Sequence, residues 1–363
     1  MLSFFRSRLG GGATRRVVEI QPLGVTIETR PGQTILEAAL AQGVAYPHNC
    51  TVGTCGSCKT RLTQGTVQAS SDFGYTLSRQ ELEAGYILAC QAAPRDPLTV
   101  VEIATPAADL RPAEVFDARI VSAEALTHDI LKVVVQTDRP VMFVAGQYAS
   151  FTAPGLLRSR NYSFADAPLR AGRTSLSFFI RKVSGGAFTG ALFDGALAGK
   201  PLKLEAAHGA FHLRPGTAPM VCIAGGSGLA PLLSVLEDMR MRRVRRPCVL
   251  LFGARTQADL YALDSIRGFA DAWGESFTFV PVLSEEPLSS DWGGARGLVT
   301  DAIAQAGSGV QLPAAQAYLC GPPPMIDSGI EKLVALGVPL DSIFYDKFTD
   351  GVAAPAAESL KAA

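Results

Sequence analysis

Three cysteines fall within nine residues in HNCTVGTCGSCKTRL, residues 48–62, and a fourth follows in GYILACQ. They are Cys50, Cys55, Cys58 and Cys90. Thiols this close together are gathered by a disulfide pair, a zinc ion or an iron–sulfur cluster. The chain has 363 residues and seven cysteines, and an odd count in so long a chain argues against a secreted disulfide framework. Reducing cytoplasm is the expected compartment. Zinc sites usually pair two short Cys-x-x-Cys knuckles, whereas Cys90 stands alone. Four thiolates spaced as x4, x2 and then a long gap suit a two-iron cluster better. The loop composition agrees. Gly53 and Gly56 tolerate positive φ and let backbone N–H groups approach bridging sulfides, while Thr51, Thr54 and Ser57 stay small. Nothing supports a His-ligated centre, so His48 reads as a solvated loop residue.

Composition narrows the class. Lys plus Arg and Asp plus Glu number 33 each, and this balance gives no basic surface for nucleic acid. With 48% apolar and 18% charged residues, the chain can fill sizeable cores. No apolar run reaches the roughly 20 residues that span a bilayer. The opening MLSFFRSRLGGGATRR is interrupted by arginines and is no secretory signal. Residues 1–16 are expected to form a loose tail, whose Phe4 and Phe5 could dock on a partner or membrane surface.

The pattern along the chain changes twice. Residues 17–105 read as a small β-rich domain, with strands in VVEIQPLGVTIETR, a helix in GQTILEAALAQG and a closing strand in LTVVEI. Residues 106–113 form a linker without periodicity. From 114 to 215, short strands between Gly/Pro turns (DILKVVVQT, GQYASFTA, LSFFIRKV) suggest an antiparallel β-barrel, interrupted by a helix in GAFTGALFDGAL. From 216 to 350, apolar strands in APMVCIAGG, PCVLLFGA, SFTFVPVLS and QAYLCGPP alternate with helices, which implies a parallel α/β sheet. Residues 351–363 read as a C-terminal tail. In VCIAGGSGLAPLL, a buried strand runs through Gly225, Gly226 and Gly228 into a helix, a natural anion site. It is not the G-x-G-x-x-G fingerprint. Cys222 and Cys248 lie inside apolar strands and read as small buried hydrophobes.

Residues 25–100 resemble a plant-type ferredoxin domain, which implies a β-grasp-like fold and a 2Fe–2S cluster on Cys50, Cys55, Cys58 and Cys90. Further on, RSRNYSFAD resembles the R-x-Y-S motif of the ferredoxin–NADP reductase superfamily. That resemblance implies that Arg160 pairs with an FAD pyrophosphate, Tyr162 lies on the isoalloxazine ring and Ser163 reaches its redox-active nitrogen. In FFIRKVSGGAFTG it assigns Gly185, Gly186 and Thr189 to the pyrophosphate as well. The family's next segment, G-P-x-G-x-F, is represented only by Gly209 and Phe211 of AAHGAF, which are left out of the site. The α/β segments GGSGLAP and YLCGPPPMID resemble the family's NAD-binding pieces, with Cys320, Gly321 and Pro322 beside the nicotinamide. IFYDKFTD resembles its terminal segment and offers Phe348 as the second cover of the flavin, with Phe344 and Tyr345 as rivals. Ser163, Tyr162, Cys320 and Phe348 are the candidates closest to the chemistry.

The order of these motifs resembles that of bacterial oxygenase reductases. The resemblance implies electron flow from NADH to FAD to 2Fe–2S to a terminal oxygenase or hydroxylase, which could itself be a membrane protein. NADH is expected over NADPH, because FGARTQADLY offers Arg255 but no cluster of basic residues for a 2′-phosphate. Competing expectations are a Rieske dioxygenase partner, a non-oxygenase partner such as a deoxysugar dehydratase, and a redox-sensing module.

Overall fold

The computed structural model describes residues 16–44, 46–48, 53, 56–103, 113–156 and 159–348, which fall into two compact units, one up to residue 103 and one from residue 113 on. The first begins with a hairpin of β1 (Arg16–Gln21) and β2 (Val25–Thr29), in register at Ile20↔Val25. Val18 and Ile20 alternate with exposed or half-buried neighbours and are fully buried. Helix α1 (Ile35–Ala41) starts at Thr34, whose hydroxyl accepts from Glu37 N at 3.2 Å while Glu37 Oε2 accepts from Thr34 N at 3.0 Å. Its buried Ile35, Leu36, Ala38 and Ala39 lie over the sheet. The chain continues through β3 (Lys59–Gln64), β4 (Val67–Ala69), α2 (Arg79–Glu83), β5 (Tyr86–Leu88), β6 (Ala92–Pro94) and β7 (Leu98–Ile103). The five-stranded sheet has the order β2-β1-β7-β3-β5, with β7 parallel to β1, while β4 and β6 pair separately. A mixed sheet crossed by one helix is the β-grasp arrangement.

The second unit opens with an antiparallel sheet of β8 (Glu114–Ala125), β9 (Ile130–Val141), β10 (Tyr148–Thr152), β11 (Arg160–Ser163), β12 (Arg173–Arg181) and β13 (Pro201–His208), in the order β11-β10-β13-β8-β9-β12. Its two ends meet where Phe164 bridges to Phe178, so the sheet curls into a barrel around Val133, Val135, Phe151, Phe178 and Ile180. Helix α3 (Ala187–Phe193) covers one end through Phe188 and Leu192.

Then comes β14 (Met220–Gly225), α4 (Leu229–Met241), β15 (Cys248–Ala254), α5 (Leu263–Trp273), β16 (Phe277–Leu283), β17 (Ala295–Arg296), α6 (Ile303–Ala306), β18 (Gln316–Gly321), α7 (Pro323–Ala335) and β19 (Ile343–Lys347). All six strands run parallel in the order β17-β16-β15-β14-β18-β19. Alternate residues feed opposite layers. Cys222, Leu250 and Phe252 pack with α4 and α5, whereas Val221, Ile223 and Leu319 pack with α6 and α7. Cys222 and Cys248 are thus core residues of neighbouring strands, their sulfurs 4.0 Å apart. Strand order reverses between β14 and β18, and ligands of open α/β sheets bind in the crevice beyond such a reversal. Among the described residues no helix is long and apolar enough to cross a membrane.

Candidate functional site: two thiols, an aromatic barrel edge and a glycine crevice

In the first unit, Cys58 and Cys90 are both buried. They are drawn together by the β3–β5 pairing, in which Lys59 faces Leu88 and Ala89 N donates to Cys58 O at 3.1 Å. Cys90 N lies 3.5 Å from Cys58 Sγ, a backbone donor aimed at the sulfur as a thiolate ligand would need. Gly53 has φ +84°, and a Cβ there would lie 2.8 Å from Gln91 Cγ, so this part of the loop closes tightly on the Cys90 segment. Thr76 fastens it by donating to Gly53 O at 2.5 Å. Cys50, Cys55, Thr51 and Thr54 lie outside the described residues. His48 is exposed, with Nδ1 2.8 Å from Tyr46 O. The two described thiols and their donor suit a cluster.

In the barrel, β11 carries the R-x-Y-S residues and pairs with β10, Phe151 opposite Arg160, Ala149 opposite Tyr162 and Tyr148 opposite Ser163. Pairing leaves Tyr162 half-buried against Phe151 and Phe188, with ring centroids at 5.2 and 5.6 Å. Burial pushes the Tyr162 phenol well above its ordinary value, so it stays neutral. Ser163 is buried, and the Arg160 guanidinium donates to the adjacent Ser159 carbonyl at 2.9 Å, leaving further donors of its fork for an anion. Phe188 belongs to α3, whose N-terminal turn carries Gly185 and Gly186, so the Tyr162–Phe188 contact joins β11 to that helix. Gly185 has φ +69° with no heavy atom within 4 Å of a built Cβ, and Gly186 caps the helix. Thr189 turns inward, receiving Val183 N at 3.1 Å, with Oγ1 3.3 Å from both Val183 O and Gly186 O. Its side chain therefore holds the turn, and the neighbouring backbone is what faces outward.

The crevice beyond β14 and β18 is closed by glycines. A Cβ on Gly228 would collide with Cys320 O and come within 2.9 Å of Gly321 N, and one on Gly225 would press on Met325 Sδ. Gly321, at φ +151°, approaches Gly225 N and O to 3.2 Å by the same measure. Gly226 has φ +54°, and its absent Cβ would stand 3.3 Å from Arg181 Nη1. Pro322 precedes α7, and Phe348 N donates to Gly321 O at 2.8 Å, bringing the terminal segment to this edge. Its rivals point elsewhere. Phe344 packs at a tilt against Tyr318 and lies under Arg214, and Tyr345 packs on the α6–α7 layer. Cys320 is fully buried, and burial followed by Asp346 pushes its thiol well above the ordinary value. Asp346, opposite Cys320 across β18 and β19, keeps part of its surface open, yet burial raises it to about 7. Arg181, Met325 and Asp346 had no assigned role in the sequence. All three lie inside quoted motifs, Arg181 in FFIRKVSGGAFTG, Met325 in YLCGPPPMID and Asp346 in IFYDKFTD, yet none stands at a position that those motifs single out.

The comparisons agree with this layout. A 2Fe-2S iron-sulfur cluster binding domain matches residues 18–95, an oxidoreductase FAD-binding domain 117–213 and an oxidoreductase NAD-binding domain 222–329. The chain is 41% identical over 331 residues to the xylene/toluene monooxygenase electron transfer component XylA of Pseudomonas putida, covering 91% of this chain and 93% of that one. It is 36% identical to the phenol 2-monooxygenase reductase component DmpP of Pseudomonas sp. strain CF600, covering 91% and 94%. Among solved structures, the Amycolatopsis cytochrome P450 reductase GcoB is 35% identical, with TM-score 0.68 over 92% of this chain and 98% of that one. The chain belongs to the family of oxygenase reductase components that join a 2Fe-2S ferredoxin domain to FAD- and NAD-binding oxidoreductase domains.

Proposed function

We propose that this chain takes electrons from NADH and delivers them singly to a terminal hydroxylase acting on aromatic or hydrocarbon substrates. The observation that carries it is the coexistence, in one chain, of the Cys58–Cys90 thiol pair and the glycine-only crevice where β14 meets β18. A hydride donor gives two electrons together and a cluster accepts one, and FAD supplies the exchange between them. The chain's own residues bind and orient. Arg160 pairs with the flavin pyrophosphate, assisted by the backbone at Gly185 and Gly186, while Thr189 holds that turn. Tyr162 lies on one flavin face with Ser163 at the ring edge, and Phe348 covers the other. Gly225, Gly226 and Gly228 receive the nucleotide, and Cys320, Gly321 and Pro322 border the nicotinamide, the buried thiol acting as packing. Cys50, Cys55, Cys58 and Cys90 hold the cluster, which favours a reducing cytoplasm.

The likeness to the xylene/toluene component favours a hydrocarbon monooxygenase as partner, soluble or membrane-bound. A ferredoxin reductase of carbazole 1,9a-dioxygenase, 30% identical with TM-score 0.63, favours a dioxygenase as the second reading. The test is the visible spectrum of purified protein during anaerobic NADH addition, followed by reconstitution with each partner class. Flavin and cluster absorption that both bleach are expected. Absence of either chromophore, or no bleaching, would sink the proposal, and turnover only with a dioxygenase would select the second reading.

A further inference from the structure

A cluster of charges joins the barrel to the α/β domain outside the sites above. Arg255 follows β15, the strand next to β14, and its Nη2 donates to Asp129 Oδ2 and Asp259 Oδ1, both at 3.0 Å. It also lies 3.2 Å from His128 Nε2. His128 and Asp129 come from the barrel turn between β8 and β9, where Asp129 receives a second bond from Arg181 Nε at 2.9 Å. Asp259 Oδ2 accepts from Thr256 N and Oγ1, both at 3.1 Å, and His128 Nδ1 is 3.3 Å from Asp259 Oδ1. The carboxylates are largely enclosed, Asp129 with 15% and Asp259 with 10% of the side chain exposed. His128, Asp129 and Asp259 have the outline of a cation site, but the Arg255 guanidinium already supplies the positive charge there.

NADH and NADPH differ only in a 2′-phosphate. A nucleotide seated on the β14 glycine turn directs its adenosine ribose towards the end of the neighbouring strand, where an arginine accommodates that phosphate and a carboxylate favours the free hydroxyl. Arg255 stands at this end, yet its Nη2 is held by Asp129 and Asp259, so its charge is already answered by two carboxylates. Freeing it would leave Asp129 with Arg181 alone and Asp259 with the Thr256 cap, so two enclosed carboxylates would each lose a charged partner. Both would also repel a phosphate.

We propose that Asp129 of the barrel, together with Asp259, is a specificity-determining residue that withholds Arg255 from a 2′-phosphate. Coenzyme choice is then set partly from the flavin domain, across the junction, and not by the nucleotide domain alone. This rests on the reading of the glycine crevice as a nucleotide site.

The test uses the full flavin-loaded protein and two probes, 5′-AMP and 2′,5′-ADP, with binding measured by calorimetry. Wild type should favour 5′-AMP. Asp129→Asn should shift the affinity ratio towards 2′,5′-ADP by about tenfold, the order expected of one freed charge-assisted contact. Asp259→Asn, which keeps an oxygen for the Thr256 cap, should shift it the same way and serves if Asp129→Asn does not fold. Adding Arg255→Ala to either should abolish the gain, and the ratio of kcat/KM for NADPH over NADH with ferricyanide should follow the affinities. A ratio within twofold of wild type in the aspartate variants, with 5′-AMP still bound, overturns the proposal. So does a shift that survives Arg255→Ala, because simple repulsion would then explain it. Failure of 5′-AMP to bind wild type or to compete with NADH would instead remove the nucleotide site, and the proposal with it.

Discussion

Removing the guanidinium of Arg160 should weaken flavin retention more than stability. The side chain is half-buried and bonds its neighbour's carbonyl, whereas a charge-assisted pairing with a phosphate contributes about 1.5–3 kcal/mol. Arg160→Ala should therefore lose FAD affinity by roughly tenfold to hundredfold, read as loss of yellow colour after dialysis, and full occupancy would show that the flavin binds elsewhere. Gly228 makes the opposite case. Its φ of −62° suits any residue, so glycine is required there by contact and not by conformation. A methyl would strike the backbone of Cys320 and Gly321, which cannot yield without parting β14 from β18. Gly228→Ala should destabilise the unit by about 1–3 kcal/mol and weaken NADH binding, measured by thermal melting and by flavin reduction. An unchanged melt would mean that the crevice is looser than described.

At the level of elements, β19 and its Asp346 carry a pH dependence with a definite sign. Burial raises this carboxyl from 3.8 to about 7, so between those values the folded chain holds a proton that the unfolded chain has lost. Its contribution is fully present below about pH 4, falls as pH rises and is gone above about pH 7. Asp346→Asn should flatten that fall, making the variant relatively more stable at pH 8 than at pH 5 when each is compared with wild type by denaturant melts. An equal difference at both pH values would count against the buried acid. Most elements were legible beforehand because their patterns are local: alternation in β1, continuous apolar runs in β14 and β15, a glycine turn leading into the apolar start of α4. A β-rich first domain, a barrel and a parallel sheet follow from such runs and their order, whereas the β-grasp-like fold is implied by the resemblance carried by the cysteine loop. What escaped was non-local or short. Two-residue β17 has no period to detect, and β19 reads as a terminal motif until β18 is beside it. The Asp129–Arg255 pair joins residues 126 apart, and the inward turn of Thr189 depends on a hydroxyl's rotation. Cysteine spacing and the glycine turn could be read from sequence because glycine and cysteine have few substitutes in those roles.

For the whole molecule, the division into two units makes electron entry and exit separable. Cys50, Cys55, Cys58 and Cys90, proposed to hold the cluster, all belong to the first unit, while Arg160, the glycine crevice and Phe348 belong to the second. A methyl group cannot replace a thiolate bonded to iron, and the Cys90 N–H that points at Cys58 Sγ would lose its acceptor. Cys58→Ala should therefore lose the cluster, with its brown-red absorption, while NADH still bleaches the flavin. Ferricyanide, able to draw electrons from a flavin directly, should still be turned over at near the wild-type rate. Reduction of cytochrome c and of the oxygenase should fall to a few per cent or less. Cutting the chain within residues 106–113 should give the same separation, with the larger piece keeping NADH oxidation and losing delivery. A flavin can give up one electron or two, whereas a 2Fe–2S cluster passes one at a time, so a cluster placed after the flavin fixes single-electron delivery to a protein partner. If the cluster-free variant drives the oxygenase at a near-normal rate, electrons leave from the flavin, and the ferredoxin unit must serve some purpose other than conduction.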